Sequence, residues 1–175
     1  MEAFEILAEQ FRPMVLAYLK TLTRDEHLAE DLTQETFIAA QKSLSQLRDG
    51  ARFGTWLRGI ARHKALDSRR AAARHPLIAD DRVVQGMEEV YAVLDAPSPQ
   101  AQDWADRVRI LRECVSRLNG SLREAVLLVY EQGKSLNEGA LALGLSFPAF
   151  AQRLHRARTL LEECITLRLK ESRLS

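Results

Sequence analysis

Cysteine is nearly absent from this chain: Cys114 and Cys164 are the only two among 175 residues. Two thiols cannot form the disulfide framework of a small secreted module. With no second pair and no histidine at ligand spacing, they do not make a zinc site either. Both fall in helical patterns and are expected as buried thiols of a reduced protein. Aromatic residues are scarce too, at 6%. No apolar run reaches the length of a membrane-spanning helix, and the acidic start MEAFEILAEQ does not read as a signal peptide, so no membrane insertion and a cytoplasmic location are expected. There are no internal repeats, no low-complexity tracts and no strand-like alternation of any length. Neither sign of charge dominates, with 25 Lys and Arg against 24 Asp and Glu.

Catalytic constellations are missing as well. His27, His63, His75 and His155 are scattered and fit neither a triad nor a metal site. Gly50 and Gly54 do not form a phosphate-binding loop. The expectation is a protein with no catalytic residue, no metal and no cofactor.

What remains is a leucine- and alanine-rich chain, 46% hydrophobic, which favours helix. A first helix spans about 3–21, with Phe4, Leu7 and Phe11 on one face; Pro13 either kinks it or starts a second helix. Thr23-Arg24-Asp25-Glu26 reads as a capping box opening a helix to about Ser43, with Leu28, Leu32, Phe37 and Ile38 partly buried. After a turn at Asp49-Gly50, a long helix runs from about Phe53 to Ala73, striped by Phe53, Trp56, Leu57, Ile60 and Ala61. Trp56 fits either the core of that stripe or a wedge against a base. Residues 75–100 hold His75-Pro76, Gly86 and Pro97-Ser98-Pro99, and read as a linker with one weak helical turn near 82–93. The second half carries Trp104, Val108, Leu111, Val115 and Leu118 at helical spacing. Capping boxes at Ser121-Leu122-Arg123-Glu124 and Ser135-Leu136-Asn137-Glu138 follow. A short helix ends at Gly144, and Ser146 caps another with Pro148 in its first turn, extending to about Lys170. The fold class is therefore all-α: two small helical domains, 1–75 and 101–175, joined by a linker at 76–100, the second holding a helix-turn-helix.

Charge is unevenly placed. Residues 50–76 carry seven basic groups against one acidic, while 77–113 carry eight acidic against four basic. Arg58, Arg62, Lys64, Arg69, Arg70 and Arg74 give the helix after Phe53 a surface that can line a phosphate backbone. In the last helix Phe150, Leu154 and Ala157 face inward, leaving Gln152, Arg153, Arg156 and Arg158 on a basic face. Ser146 and the helix start can meet a phosphate, and Phe147, Pro148, Ala149, Gln152, Arg153 and Arg156 are turned toward a groove. Two basic modules on one chain can hold two DNA sites at once. Each also reads as an ordinary solvated helix face.

Three stretches resemble a known family. AEDLTQETFIAA (29–40) resembles the polymerase-binding helix of bacterial sigma factors of the small extracytoplasmic-function group. FGTWLRGIARHKALDSRR (53–70) resembles the family's F-x-T-W-L-x-x-I-A-x-N-x-x-x-D-x-x-R signature. Residues 121–161 resemble its region four. The resemblance implies core RNA polymerase and promoter DNA as partners, with an anti-sigma protein common in the family though no residue here shows one. It places Asp31, Gln34, Glu35 and Phe37 against polymerase. It places Arg48, Asp49, Gly50 and Arg52, in the loop at 46–53, against a base flipped out of the −10 element. Arg58, Arg62, His63, Lys64, Arg69 and Arg70 then fall along that element. Ser146, Pro148, Ala149, Gln152, Arg153 and Arg156 fall at the −35 element. His63 stands where the family often has asparagine. In region four Gly139 replaces an apolar residue, and Ala149, Phe150, Ala151 and Gln152 replace Thr-Val-Lys-Ser, so a lysine contact is missing at Ala151. Two other readings stay open: a helix-turn-helix regulator whose first half serves oligomerisation, and a sigma-like protein acting only through protein contacts.

Overall fold

The computed structural model describes residues 2–47, 53–71, 80–96 and 104–170. The chain divides into two compact units, residues 1–79 and 80–175. All regular structure among the described residues is helical.

The first unit is three helices, α1 (Glu2–Thr23), α2 (Glu26–Ser43) and α3 (Phe53–Ala71), each packed on the other two. Pro13 lies inside an unbroken α1, on its exposed side. Met14, Val15, Tyr18, Leu19 and Leu22 of α1 meet Ala29, Leu32, Phe37 and Ala40 of α2 and Phe53, Leu57, Ala61 and Ala65 of α3 in the core. Phe53 sits edge-on to Phe11 at 5.2 Å and to Phe4 at 6.4 Å. Thr33 and Thr36, buried in this apolar interior, donate to the carbonyls of Ala29 and Leu32 one turn back, so no hydroxyl is stranded. Ile38, expected as partly buried, is 54% exposed.

The α1–α2 junction departs from the expected capping box. Thr23 is the buried last residue of α1 and donates to Leu19 O. Arg24 takes a left-handed φ of 55°, so the first extended residue is Asp25. Asp25 is the cap, its side chain accepting from Leu28 N at 3.0 Å.

The second unit is built around α8 (Phe147–Lys170), on which α4 (Asp81–Leu94), α5 (Trp104–Arg117), α6 (Gly120–Val126) and α7 (Leu136–Ala142) all pack. Residues 81–94, read from sequence as linker with a weak turn, are a full helix of this unit. Asp80 caps α4, and Val83, Val84, Met87 and Leu94 are buried. Its far end is held by Arg107, which donates to Leu94 O and Ala96 O, and by Tyr91 stacked on Trp104 at 6.0 Å. The cap of α6 is Asn119, two residues before the expected Ser121; its side chain accepts from Leu122 N. A π-helical turn at Leu127–Glu131 continues α6, and Gly133 breaks it at φ 64°. Ser135 and Glu138 form the expected reciprocal box at the start of α7.

Cys114 and Cys164 are joined in a disulfide between α5 and α8, with Cα atoms 5.8 Å apart. The expectation of two separate thiols is therefore overturned. Helical patterning placed each residue on an inward face but carried no register between two helices 50 residues apart in sequence. Next to the bridge, Glu113 accepts from Arg168 of α8 and from Arg109, at 3.0 Å for the latter. These arginines hold the Glu113 carboxyl below the usual carboxylate range, Arg168 most strongly.

Candidate nucleic-acid interface

On α2, Asp31, Gln34 and Glu35 are exposed, and their spacing puts them on one face with Ile38. Phe37 is not on that face. It is 7% exposed, in the core, with the Arg12 guanidinium 5.7 Å from its ring centre. A fully packed ring cannot meet a partner without opening the bundle, so Phe37 acts through the fold.

Helix α3 corrects the expected basic surface. Its buried arc runs through Phe53, Gly54, Leu57, Arg58, Ala61 and Ala65, leaving Trp56 and Ile60 half-buried at one margin. That rotation takes Arg58 to 2% exposure, inside the bundle rather than on a solvated face. Arg62, His63 and Arg70 are exposed as expected. Asp67 lies between two of them, 3.6 Å from His63 and 3.4 Å from Arg70, and Arg62 has no carboxylate partner among the described residues. Lys64 is half-buried and reaches α2, where it pairs with Glu35 at 3.1 Å. Arg48, Asp49, Gly50 and Arg52 lie outside the described residues, as do Arg74 and the Arg69 side chain. Trp56 is tilted against Phe53, ring centres 5.8 Å apart.

In the second unit, α7 and α8 are joined by Gly144, at φ 63°, and Ser146 caps α8 by accepting from Ala149 N. Phe150, Leu154 and Ala157 are buried to within 1% exposure, as their spacing required. Pro148, Ala149, Gln152 and Arg156 are exposed and Arg153 is half-buried. Two departures from the family's pattern explain one another. A Cβ at Gly139 would lie 2.3 Å from Cζ of Phe150, so the large residue on α8 fits because the facing residue on α7 has no side chain. The swap conserves volume across the two helices.

Arg158, expected on the basic face, is buried at 9% exposure. It donates to Arg82 O and to the Tyr130 hydroxyl, both at 3.3 Å, and its Nε meets no acceptor among the described residues. Burial raises the Tyr130 hydroxyl's pKa, against the pull of the Arg158 charge. The guanidinium crosses α4 at Gly86, where a Cβ would lie 2.2 Å away. One turn on, Glu162 is pushed up, first by partial burial and then by Glu89. At the start of α8, the Arg82 guanidinium lies 5.4 Å over the Phe147 ring. A cleft of about 300 Å³ separates the helices, walled by Arg82, Gln85 and Glu89 of α4 and by Ala151, His155 and Arg158 of α8. Sequence reasoning missed this docking. Val83, Val84, Met87, Tyr91 and Leu94 carry a helical period behind an Asp80 cap, but the flanking prolines and acidic residues obscured it.

Among the described residues no group of histidines, cysteines and carboxylates can hold a metal ion, and no helix is long and apolar enough to cross a membrane. Comparison with known proteins agrees with the helical architecture. Residues 7–75 match the model of sigma-70 region 2, and residues 109–161 that of sigma-70 region 4. The chain is 36% identical over 147 residues to the probable RNA polymerase sigma factor RfaY of Xanthomonas campestris, covering 82% of this chain and 36% of that protein. It is 33% identical over 164 residues to RNA polymerase sigma factor CarQ of Myxococcus xanthus, covering 94% and 90%. With the ECF RNA polymerase sigma factor SigD of Mycobacterium tuberculosis it shares 32% identity, covering 89% and 73%. A three-helix unit matching region 2, followed by a helix-turn-helix unit matching region 4 in the same order, makes this chain a member of the sigma-70 family, of the extracytoplasmic-function type.

Proposed function

We propose that this chain binds core RNA polymerase, brings it to promoters with −10 and −35 elements, and assists DNA opening. Promoter recognition and polymerase interaction are the general work of its family, and sigma factors are not enzymes. In the proposed division of labour, Asp31, Gln34 and Glu35 face polymerase. Arg62, His63, Lys64, Arg69 and Arg70 follow the −10 element. Loop residues Arg48, Asp49, Gly50 and Arg52 hold a flipped base; unstacking a base costs a few kcal/mol, so the loop need only stabilise what strand separation supplies. Ser146, Pro148, Ala149, Gln152, Arg153 and Arg156 meet the −35 element.

The observation that supports this reading best is the exposed pair of faces on α2 and α3. Asp31, Gln34 and Glu35 on α2 and Arg62, His63 and Arg70 on α3 are exposed, and the half-buried Lys64 joins the two faces through its ion pair with Glu35. One small unit thus offers adjacent surfaces to a protein and to a phosphate backbone. The deciding experiment is transcription by purified core polymerase with and without the chain, on a library of promoter sequences. Enrichment of a two-element promoter supports the proposal. Absence of core binding leaves the helix-turn-helix regulator, and core binding without promoter-specific transcripts leaves a sigma-like protein working through protein contacts.

A further inference from the structure

The first helix of the second unit, α4, is docked on α8, the proposed recognition helix. Helix α4 packs along α8, its Gly86 allowing the buried Arg158 guanidinium to cross at a distance no side chain would permit. Arg82 covers Phe147, the first residue of α8. The docked surface of α8 is the flank that carries Phe147, Ala151, His155 and Arg158, which lies beside the face of Gln152 and Arg156 rather than over it. We propose that α4 is a releasable clip: docked in the free chain, and undocked when the two units occupy their separate DNA elements. The inference rests on the sigma reading above.

Chain length is the first reason. With α4 docked, only residues 72–79 lie between the end of α3 and Asp80, and they span at most about 30 Å. With α4 released, the connection runs on to Trp104 and its ceiling rises to about 110 Å. Elements at −10 and −35 lie about 25 base pairs apart, roughly 85 Å along B-form DNA, so with α4 docked the two units must themselves cover about 55 Å of that span, whereas the released connection can cover all of it. Charge is the second reason. Docked α4 and its caps bring Asp80, Asp81, Glu88, Glu89 and Asp95, against Arg82 alone, to the side of a helix that must approach phosphates. Release exposes Val83, Val84, Met87 and Leu94, a cost that contacts to DNA and polymerase must offset, and because a 14-residue helix is marginal in water by itself, α4 away from α8 becomes flexible tether.

Benzoylphenylalanine in place of exposed Gln85 tests the clip, since that side chain lines the cleft facing Ala151 and His155. Irradiating the free, full-length chain should join α4 to α8, read by mass spectrometry of the linked peptides. The locked chain should then give at least tenfold fewer transcripts with core polymerase on a two-element promoter than the same variant left unirradiated, while core capture stays equal. Equal transcript yield from locked and unlocked chains overturns release. Failure to crosslink α4 to α8 overturns docking. A variant that gives no promoter-specific transcript even before irradiation, when the unsubstituted chain gives none either, sinks the sigma reading itself and the clip with it. Gly86→Leu supplies the opposite perturbation. It should expose residues 81–94 to protease in the free chain and leave transcription within twofold; loss of transcription with the helix content of the second unit intact overturns the clip.

Discussion

Placing isoleucine at Gly139 restores the apolar residue usual in the family, yet in this chain it should be destabilising. The new Cβ would stand 2.3 Å from Cζ, 2.7 Å from Cε1 and 3.0 Å from Cε2 of Phe150, a ring that is itself fully buried. Overpacking of this kind costs about 1–3 kcal/mol. Replacing a helical glycine returns at most about 1 kcal/mol of that. Phe150→Val alone leaves a void above Gly139 and should cost about 2–3 kcal/mol, below the range for truncating phenylalanine to alanine. The double variant fills the void with the isoleucine that caused the clash, so the two changes should be far from additive. We expect a coupling of at least about 2 kcal/mol in favour of the pair, within the range for residues in direct contact. Urea unfolding followed by circular dichroism, fitted for the second unit, gives all four corners of the cycle. Single and double changes that add to within about 0.5 kcal/mol would refute the reasoning, because independent sites behave that way.

The disulfide closes a loop with a sequence separation of 50, and the chain-entropy relation gives about 4 kcal/mol for it, so reductant or Cys114→Ser should destabilise the second unit by about that much while the first unit is unaffected. Unfolding with and without dithiothreitol checks this, alongside a mass difference of two hydrogens. Glu113 has a folded pKa below its unfolded value near 4.5, so its contribution is present above that value and is lost as pH falls through the folded pKa. Wild-type protein should therefore lose stability on acidification more steeply than Glu113→Gln, measured as unfolding midpoint against pH. Asp31→Ala combined with Glu35→Ala should weaken capture of core polymerase without lowering helix content, since both side chains are exposed. In the recognition helix, Arg153→Ala should relax −35 preference, because a bidentate base contact is worth about 1–3 kcal/mol of discrimination. Arg156→Ala should weaken all sequences alike and reduce the salt slope by about 0.9. Binding to a library randomised at −35 separates the two.

Much of the fold could be read because local rules agreed along the chain. The Ser135–Glu138 box, the Gly144 turn and the Phe150–Leu154–Ala157 stripe are set by neighbours within a few residues. The misreadings share one cause, which is dependence on a partner helix. Arg58 is buried because α1 and α2 widen the covered arc of α3 beyond its apolar stripe. Arg158 is buried because Gly86, 72 positions earlier in the chain, opens a path for it. A charged residue in a helical pattern is assigned to solvent by default, since burial of arginine is rare without hydrogen-bonding partners. The Cys114–Cys164 bridge and the Gly139–Phe150 pair are likewise properties of helix pairs. The second of these was visible as two separate oddities in one stretch, a missing side chain and an oversized one, and only their contact shows them to be a single adjustment.

The Glu35–Lys64 pair bears on how polymerase binding and DNA binding depend on one another. If a protein partner draws Glu35 away, Lys64 is released to a phosphate; if a phosphate takes Lys64, Glu35 is freed for the partner. The linkage must be reciprocal. Its size is bounded, because Glu35 is 55% and Lys64 34% exposed at the side chain, and pairs of that kind contribute about 0.2–1 kcal/mol, or roughly fivefold at most. A strong dependence of promoter binding on polymerase would need far more coupling than this. Any such remainder would have to come from elements whose rearrangement moves many contacts at once. Among the described residues the α4–α8 docking is the arrangement with that character, since its release changes tether length, flank charge and the surroundings of Arg158 together.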